Sequence, residues 1–254
     1  MEQDFFDSKL MLPKFNGLKI YCGGENNCAM CGNILEKKNI LKYKSQWIAP
    51  DFGAITSGYL LLFSNRCVPS IGYFNKVEFR DVEKLITKTR EILSKRYKRN
   101  VVFFEHGAVD GYAKKAGCCV AHAHIHAVPI PEDINLALFE TDLKAYVGRL
   151  KKQKIDRLEE IKKLIKNKSS YLLYITTTGN KFVYDIADKQ IPSQMFRKYI
   201  SNIPEIKTKN SKWLKKNNIL GVNEFTWDWR QFRPAQRYNN TANYLLSEFK
   251  EELK

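Results

Sequence analysis

The sequence predicts an α+β fold: a mostly antiparallel sheet with flanking helices, followed by a C-terminal extension of helices and a hairpin. Two observations carry this expectation. Short apolar runs bounded by chain breakers, Gly58–Phe63 (GYLLLF) and Val101–Glu105 (VVFFE), read as buried strands. One segment of helical period lies between them, so the order is strand, helix, strand, loop, strand rather than a regular βα alternation.

The elements follow in order. Gln46–Ala49 is a short strand ahead of the first apolar run, which Pro69, Ser70 and Gly72 close. Val77–Tyr97 is a helix. Its Val82, Leu85, Ile86, Thr89, Ile92 and Leu93 recur at three and four, Lys84, Lys88, Arg90 and Lys95 take the other faces, and Asp81 sits near its positive end. A Gly-, Ala- and Lys-containing loop, Gly107–Gly117, follows the second strand. Cys119–Ile130 is then extended, ended by Pro129 and Pro131. Ile134–Lys168 reads as a long helical stretch broken near Gly148. Its basic second half holds Lys151, Lys152, Lys154, Arg157, Lys162, Lys163, Lys166 and Lys168, with Glu159 and Glu160 at helical spacing from Lys162 and Lys163, as in a solvated, salt-bridged face. Tyr171–Thr177 and Lys181–Ile186 flank Thr178-Gly179-Asn180 as a hairpin, and Ser193–Ile200 and Thr241–Glu252 are short helices. Residues 1–27 read as irregular, with a turn at Gly23, Gly24, Asn26 and Asn27.

Composition narrows the class. In 254 residues the hydrophobic fraction is 44% and the charged fraction 28%, which excludes a disordered chain and supplies a sizeable core. Lys and Arg number 43 against 27 Asp and Glu, a net charge of +16. Such a balance attracts polyanions, whether nucleotides, nucleic acid or an acidic surface, and equally fits a general compositional habit. No apolar run approaches the ~20 residues of a membrane span. The start, with Glu2, Asp4 and Asp7, lacks a basic-then-apolar signal pattern. A soluble, cytoplasmic protein without a membrane partner is expected.

Cysteine and histidine carry the chemistry. The six cysteines are Cys22, Cys28, Cys31, Cys67, Cys118 and Cys119. Cys28 and Cys31 form a C-x-x-C, read as half of a metal site or as a redox pair, although no βαβ pattern accompanies it. Three of the four histidines, His122, His124 and His126, alternate with Ala123, Ile125 and Ala127. In a strand the three imidazoles share one face and the apolar residues point into a core. Imidazole fills a core poorly and leaves two nitrogens to satisfy, so three at period two point to a metal site or to nucleophilic and acid–base chemistry.

His122-Ala123-His124-Ile125-His126-Ala127-Val128 resembles the H-φ-H-φ-H-φ-φ signature of the histidine triad (HIT) superfamily of nucleotidyl hydrolases and transferases. Other segments are similar to larger bacterial-type members: the C-x-x-C of Cys28 and Cys31, Gly58–Phe63 through Val68-Pro69-Ser70, Phe104-Glu105-His106-Gly107, and Gly117–Val120 ahead of the triad. This likeness covers about residues 20–130. Tyr171–Tyr174, Pro192–Arg197 and Trp227–Arg230 resemble the extension of a larger HIT subgroup. The resemblance implies a HIT-like catalytic domain over 1–135, with residues 136–254 as an extension packed on it. The basic segment from Lys151 to Lys168 falls in that extension.

The resemblance also implies a mechanism. His124 attacks the α-phosphorus of a nucleotide to form a nucleotidyl-imidazole, later resolved by water or phosphate. His126 hydrogen-bonds the phosphate and the leaving oxygen. The nucleophile needs its far nitrogen held by an acceptor, a task a strand carbonyl could perform. Backbone N–H groups around Gly117, Cys118 and Cys119 could cradle phosphate oxygens. Cys118 and Cys119 replace the family's usual Gln and Ser/Thr, which alters the phosphate and leaving-group contacts if side chains make them. Metal-bearing members use the C-x-x-C pair, a His after the first long strand and the first His of the triad. Here that middle ligand is Cys67. The implied structural zinc is therefore held by Cys28, Cys31, Cys67 and His122, a closed Cys₃His set, with Cys22 as a substitute for Cys67.

Arg197 and Arg230 stand in the resembling C-terminal segments and could pair with phosphates, and Trp229 could stack on a base; equally, all three could be structural. The expected partner is a small nucleotide such as a dinucleoside polyphosphate or phosphoramidate. Alternatives are aprataxin-like processing of 5′-adenylated nucleic acid, against which no finger or nucleic-acid module is seen, and nucleotide binding without turnover. HIT domains often form homodimers, on a surface this extension could itself occupy.

Overall fold

The apolar runs pair into one sheet. The computed structural model describes residues 30, 40–51, 53–109, 117, 122–216 and 235–254. Its strands are β1 (Leu41–Tyr43), β2 (Gln46–Pro50), β3 (Leu60–Ser64), β4 (Asn100–Gly107), β5 (His124–Ile130), β6 (Lys151–Ile155), β7 (Ser170–Ile175) and β8 (Lys181–Ala187). Among the described residues they form a single eight-stranded sheet in the order β1-β2-β3-β5-β4-β7-β8-β6. Each neighbouring pair is antiparallel. The class is thus α+β with an antiparallel sheet.

Strand alternation divides the core in two. On one face Ile48, Leu60, Leu62, Val101, Phe103, Ile125, Ala127 and Leu173 pack beneath α1 (Lys76–Tyr97) and the C-terminal helical stretch Ala235–Leu253. On the other, Leu61, Phe63, Phe104, Leu172, Tyr174 and Tyr184 pack beneath α2 (Leu136–Val147), α4 (Met195–Ser201) and α5 (Pro204–Lys216). Helix α1 starts at a capping box. The Asn75 side chain accepts from Val77 N and Glu78 N, and the Glu78 carboxylate accepts from Asn75 N. Asp81, the acidic residue that the sequence singles out near this helix start, is buried instead and accepts from the Ser45 hydroxyl at 2.9 Å.

Strands of the C-terminal half continue the sheet. Strand β7 pairs with β4 from Phe103↔Ile175 to Gly107↔Tyr171. The approach is close at Gly107, where a Cβ would lie 2.1 Å from the Tyr171 ring. On the α1 face the buried Glu105 carboxyl group accepts from the Tyr171 hydroxyl at 2.6 Å and from Ile71 N at 2.9 Å. That knot ties the segment after β3 to two central strands. Burial pushes the Glu105 carboxyl up to about 8.

Three expectations are corrected. The basic stretch 151–168 is not a helix. Gly148, at φ +75°, ends α2, and Lys151–Ile155 becomes the edge strand β6 paired with β8. Its main-chain bonds and cross-strand contacts, such as Lys152 Nζ 4.3 Å over the Phe182 ring, outweigh the weak helical preference of lysine. Lysines on an exposed edge also discourage pairing with other chains. Helical structure resumes at Leu158–Ile161 and α3 (Lys162–Lys166), where Lys162 and Glu159 do pair at 3.4 Å. Secondly, Pro129 does not end the third strand but lies inside β5, opposite Val101. Thirdly, α5 and the short edge strand β1 carried no clear sequence signal, and the C-terminal helical stretch begins at Ala235 rather than Thr241.

Candidate active site

The site grows from the register of three strands. Strand β5 pairs with β3 (Leu61↔His126, Phe63↔His124) and with β4 (Phe104↔His126). His124 and His126 therefore share a face with Leu61, Phe63 and Phe104, while Ala123, Ile125 and Ala127 lie in the opposite core. His122 precedes the strand, with its ring 6.0 Å from Phe63. The His126 ring stacks on Phe104 at 4.4 Å and meets His124 edge-on at 5.0 Å.

Backbone carbonyls orient two of the rings. His124 Nδ1–H donates to His122 O at 2.6 Å, which leaves the lone pair on Nε2. His122 Nε2–H donates to Ser64 O at 2.8 Å, which leaves its lone pair on Nδ1. Burial lowers all three imidazoles: His122 to about 4, His124 below its ordinary value, and His126 well below it, with the neighbouring His124, Arg197 and His106 adding to the last shift. All three are neutral near pH 7.

Helix α4 reaches into this face with two adjacent residues. Phe196 packs against Phe104 at 5.1 Å and against His106 at 5.5 Å. Arg197, only 3% exposed, donates to Gly53 O at 2.5 Å, pairs with Asp51 at 3.5 Å, and lies 5.3 Å from the centre of the Tyr59 ring. Desolvation raises the Asp51 carboxyl, and Arg197 opposes that shift. The Tyr59 hydroxyl is 2.9 Å from His126 Nδ1. A second arginine of the C-terminal half, Arg237, donates to Ala54 O at 3.1 Å, so two helices grip the 51–58 loop beside the histidines.

The structure thus brings together His122, His124, His126 and Arg197. Gly117 stands nearby at φ +65°, where a Cβ would lie 2.5 Å from Pro192 O and 3.3 Å from His106 Nδ1. Cys28, Cys31, Cys118, Cys119 and Arg230, with Cys22 and Trp229, lie outside the described residues. Cys67 is a backbone neighbour of the triad through the bond from Ala123 N to Val68 O at 2.6 Å. It is disulfide-bonded. Among the described residues no group of three His, Cys, Asp or Glu is placed to hold a metal. The donor chemistry still bears on the fit. A neutral His122 with its Nε2–H on a carbonyl suits a metal ligand, whereas a disulfide sulfur has no thiolate to offer, so a zinc site here requires reduced Cys67.

Asp51, Tyr59 and His106 were not singled out by sequence reasoning. Period-two alternation hints at Tyr59, which shares the spacing of Leu61 and Phe63, and at His106, two residues after Phe104. The cross-strand register that sets them beside the triad is invisible in a linear pattern.

Together, the fold and site define an α+β protein with a histidine-lined sheet face, closed by an arginine from its C-terminal half. No known family profile matches the chain, and neither does any curated protein. Among solved structures it is similar to the crystal structure of the C. elegans NitFhit protein, at 21% identity and a TM-score of 0.33, over 40% of this chain and 25% of that one. The chain spans about a quarter of that protein's length, and the functional proposal below rests on the histidines rather than on this likeness. No helix among the described residues is long and apolar enough to cross a membrane.

Proposed function

We propose that this chain is a nucleotidyl hydrolase or transferase of the histidine triad type, acting at the α-phosphate of a small nucleotide with His124 as nucleophile. One observation carries the proposal: the 2.6 Å bond from His124 Nδ1–H to the His122 carbonyl, which leaves a lone pair on Nε2 of a neutral, buried imidazole. In the first step that pair forms a bond to phosphorus while the bond from phosphorus to the leaving group breaks, its electrons departing on that group's oxygen, or on its nitrogen in a phosphoramidate. The cationic nucleotidyl-imidazole keeps its Nδ1–H on the carbonyl, and the nearby Asp51 carboxylate favours the positive charge. In the second step water or phosphate attacks phosphorus, the P–N bond breaks, and Nε2 recovers its pair. With water, its protons pass to the departed group and to solvent.

Arg197 belongs to the same proposal as a wall of the site. Its pairing with Asp51 and Gly53 O favours a role in holding the 51–58 loop over a direct contact with phosphate. Gly117, Cys118, Cys119 and Arg230 stand as proposed phosphate contacts through the resemblance. The proposed zinc is structural, held by Cys28, Cys31, Cys67 and His122, and would fasten the N-terminal segment to the triad. Elemental analysis of the reduced protein should find one zinc per chain, and zinc retained at full stoichiometry in Cys67→Ala would overturn that ligand set.

The activity test is a panel of labelled dinucleoside polyphosphates, adenosine phosphoramidate and 5′-adenylated DNA, with wild type against His124→Ala. Turnover of at least one small nucleotide is expected, falling by about 10³-fold or more in the variant. Unchanged turnover in the variant would end the proposal. Turnover of the adenylated DNA alone would favour nucleic-acid processing, and turnover of none would favour a binding protein.

A further inference from the structure

We propose that Tyr59 is a positioning residue for His126: its phenol donates to Nδ1, the ring proton therefore sits on Nε2, and His126 meets its ligand as a hydrogen-bond donor. The inference rests on the functional proposal only in naming a ligand. The tautomer follows from the chain's own groups.

Tyr59 is fully buried, and a buried hydroxyl proton without an acceptor costs about 1–3 kcal/mol. Among the described residues its hydrogen-bond partner is His126 Nδ1, at 2.9 Å. The guanidinium of Arg197, 5.3 Å from the centre of the phenol ring, has no acceptor atom to offer. The phenolic proton therefore goes to the imidazole. The phenol keeps its proton at neutral pH, since burial raises it above its ordinary range. Asp51 is the group that would favour the other tautomer by accepting from Nδ1–H. Its nearer oxygen stops 3.8 Å short, while its other oxygen is engaged by Gly53 N at 2.7 Å and Arg197 at 3.5 Å.

The two histidines of β5 are in this way fixed as opposite tautomers. A main-chain carbonyl makes His124 a lone-pair donor at Nε2, and a phenol makes His126 a proton donor at the same ring atom. Arg197, which steadies the phenol, comes from α4, so the C-terminal half takes part in setting the proton of a histidine 71 positions earlier in the sequence.

Long-range ¹H–¹⁵N correlation spectra of the full-length, ¹⁵N-histidine-labelled protein near pH 7.5 read each tautomer directly, with His126→Gln and His124→Gln assigning the signals. His126 is expected with its proton on Nε2, and His124 with its proton on Nδ1. In Tyr59→Phe, His126 should move toward the Nδ1–H form, because among the described residues Asp51 is then the group left facing Nδ1. For any nucleotide turned over, kcat should fall roughly 10- to 100-fold with KM little changed, the scale for groups that orient a histidine. A wild-type His126 protonated on Nδ1, or a His126 tautomer unmoved by Tyr59→Phe, overturns the inference. The wild-type spectrum decides even if the variant fails to fold. Expected tautomers without nucleotide turnover would leave the Tyr59 relay standing and remove the functional proposal. Turnover with the wrong tautomer would do the reverse.

Discussion

Replacing Arg197 with methionine keeps most of the side-chain volume and removes the charge. The structure specifies what is lost: the ion pair to Asp51 at 3.5 Å, the bond to Gly53 O at 2.5 Å, and the cation face over Tyr59. Both charged groups are buried, so the variant strands a carboxylate whose remaining backbone donor is Gly53 N. Breaking a buried pair from one side costs about 3–5 kcal/mol. At ~2–4 °C per kcal/mol for a protein of about this size, Tm should fall by roughly 6–20 °C. The pH dependence has a definite sign. Desolvation already raises Asp51, and loss of Arg197 raises it further, so the folded variant binds more protons than its unfolded chain above the ordinary carboxylate range. The deficit relative to wild type should be largest at pH 7–8 and narrow toward pH 5. Urea and thermal unfolding followed by far-UV circular dichroism at several pH values measure both. The double variant Asp51→Asn, Arg197→Met should recover more than half of the loss. A single-variant cost below ~1 kcal/mol, or an Asp51→Asn cost that simply adds, would refute the reasoning.

Two further changes test the scaffold. Burial raises Glu105 to about 8 from an unfolded value of 4.5, so its contribution to stability is complete below that lower value and is lost as pH rises toward 8. Glu105→Gln should remove this decline, at ~1.4 kcal/mol per pH unit across the window, and match or exceed wild type in urea unfolding at pH 9. Gly58 and Gly148 have similar positive φ, +78° and +75°. A Cβ at Gly58 would lie 2.2 Å from the Tyr97 ring, whereas one at Gly148 meets nothing within 4 Å. Gly148→Ala should therefore cost about 1–3 kcal/mol through backbone strain alone, and Gly58→Ala should cost more through the added clash with Tyr97, as equal midpoints in urea would disprove.

Much of this was legible because local pattern and final environment agree. GYLLLF and VVFFE are buried on both faces and read as continuous apolar runs, and the histidine and alanine alternation of β5 states its two faces outright. Helix α1 shows its period because one stripe is buried and the rest is solvated. The pattern failed where tertiary partners decide. Lys151–Ile155 is a strand only because β8 offers its edge, and no local preference records that. The site divides along the same line. Its histidines announce themselves by spacing, and the acceptor for His124 turns out to be the carbonyl two residues before it. Asp51, Tyr59 and His106 reach the site through strand register and helix packing, across separations that a linear pattern does not encode. Arg197 was visible as a candidate, but its neighbours give it different work: a buried guanidinium already holding Asp51, Gly53 O and Tyr59 is part of the wall.

The central claim is that His124 Nε2 bonds phosphorus. Its most direct test is a single-turnover reaction with an α-³²P-labelled dinucleoside polyphosphate, quenched in alkali, where a phosphorus–imidazole bond survives, and mapped by peptide mass. Label on the peptide bearing His124, absent in His124→Ala and present at lower yield in Tyr59→Phe, is the result this account predicts. Product formed with no protein-bound label, or label on any other residue, would contradict it.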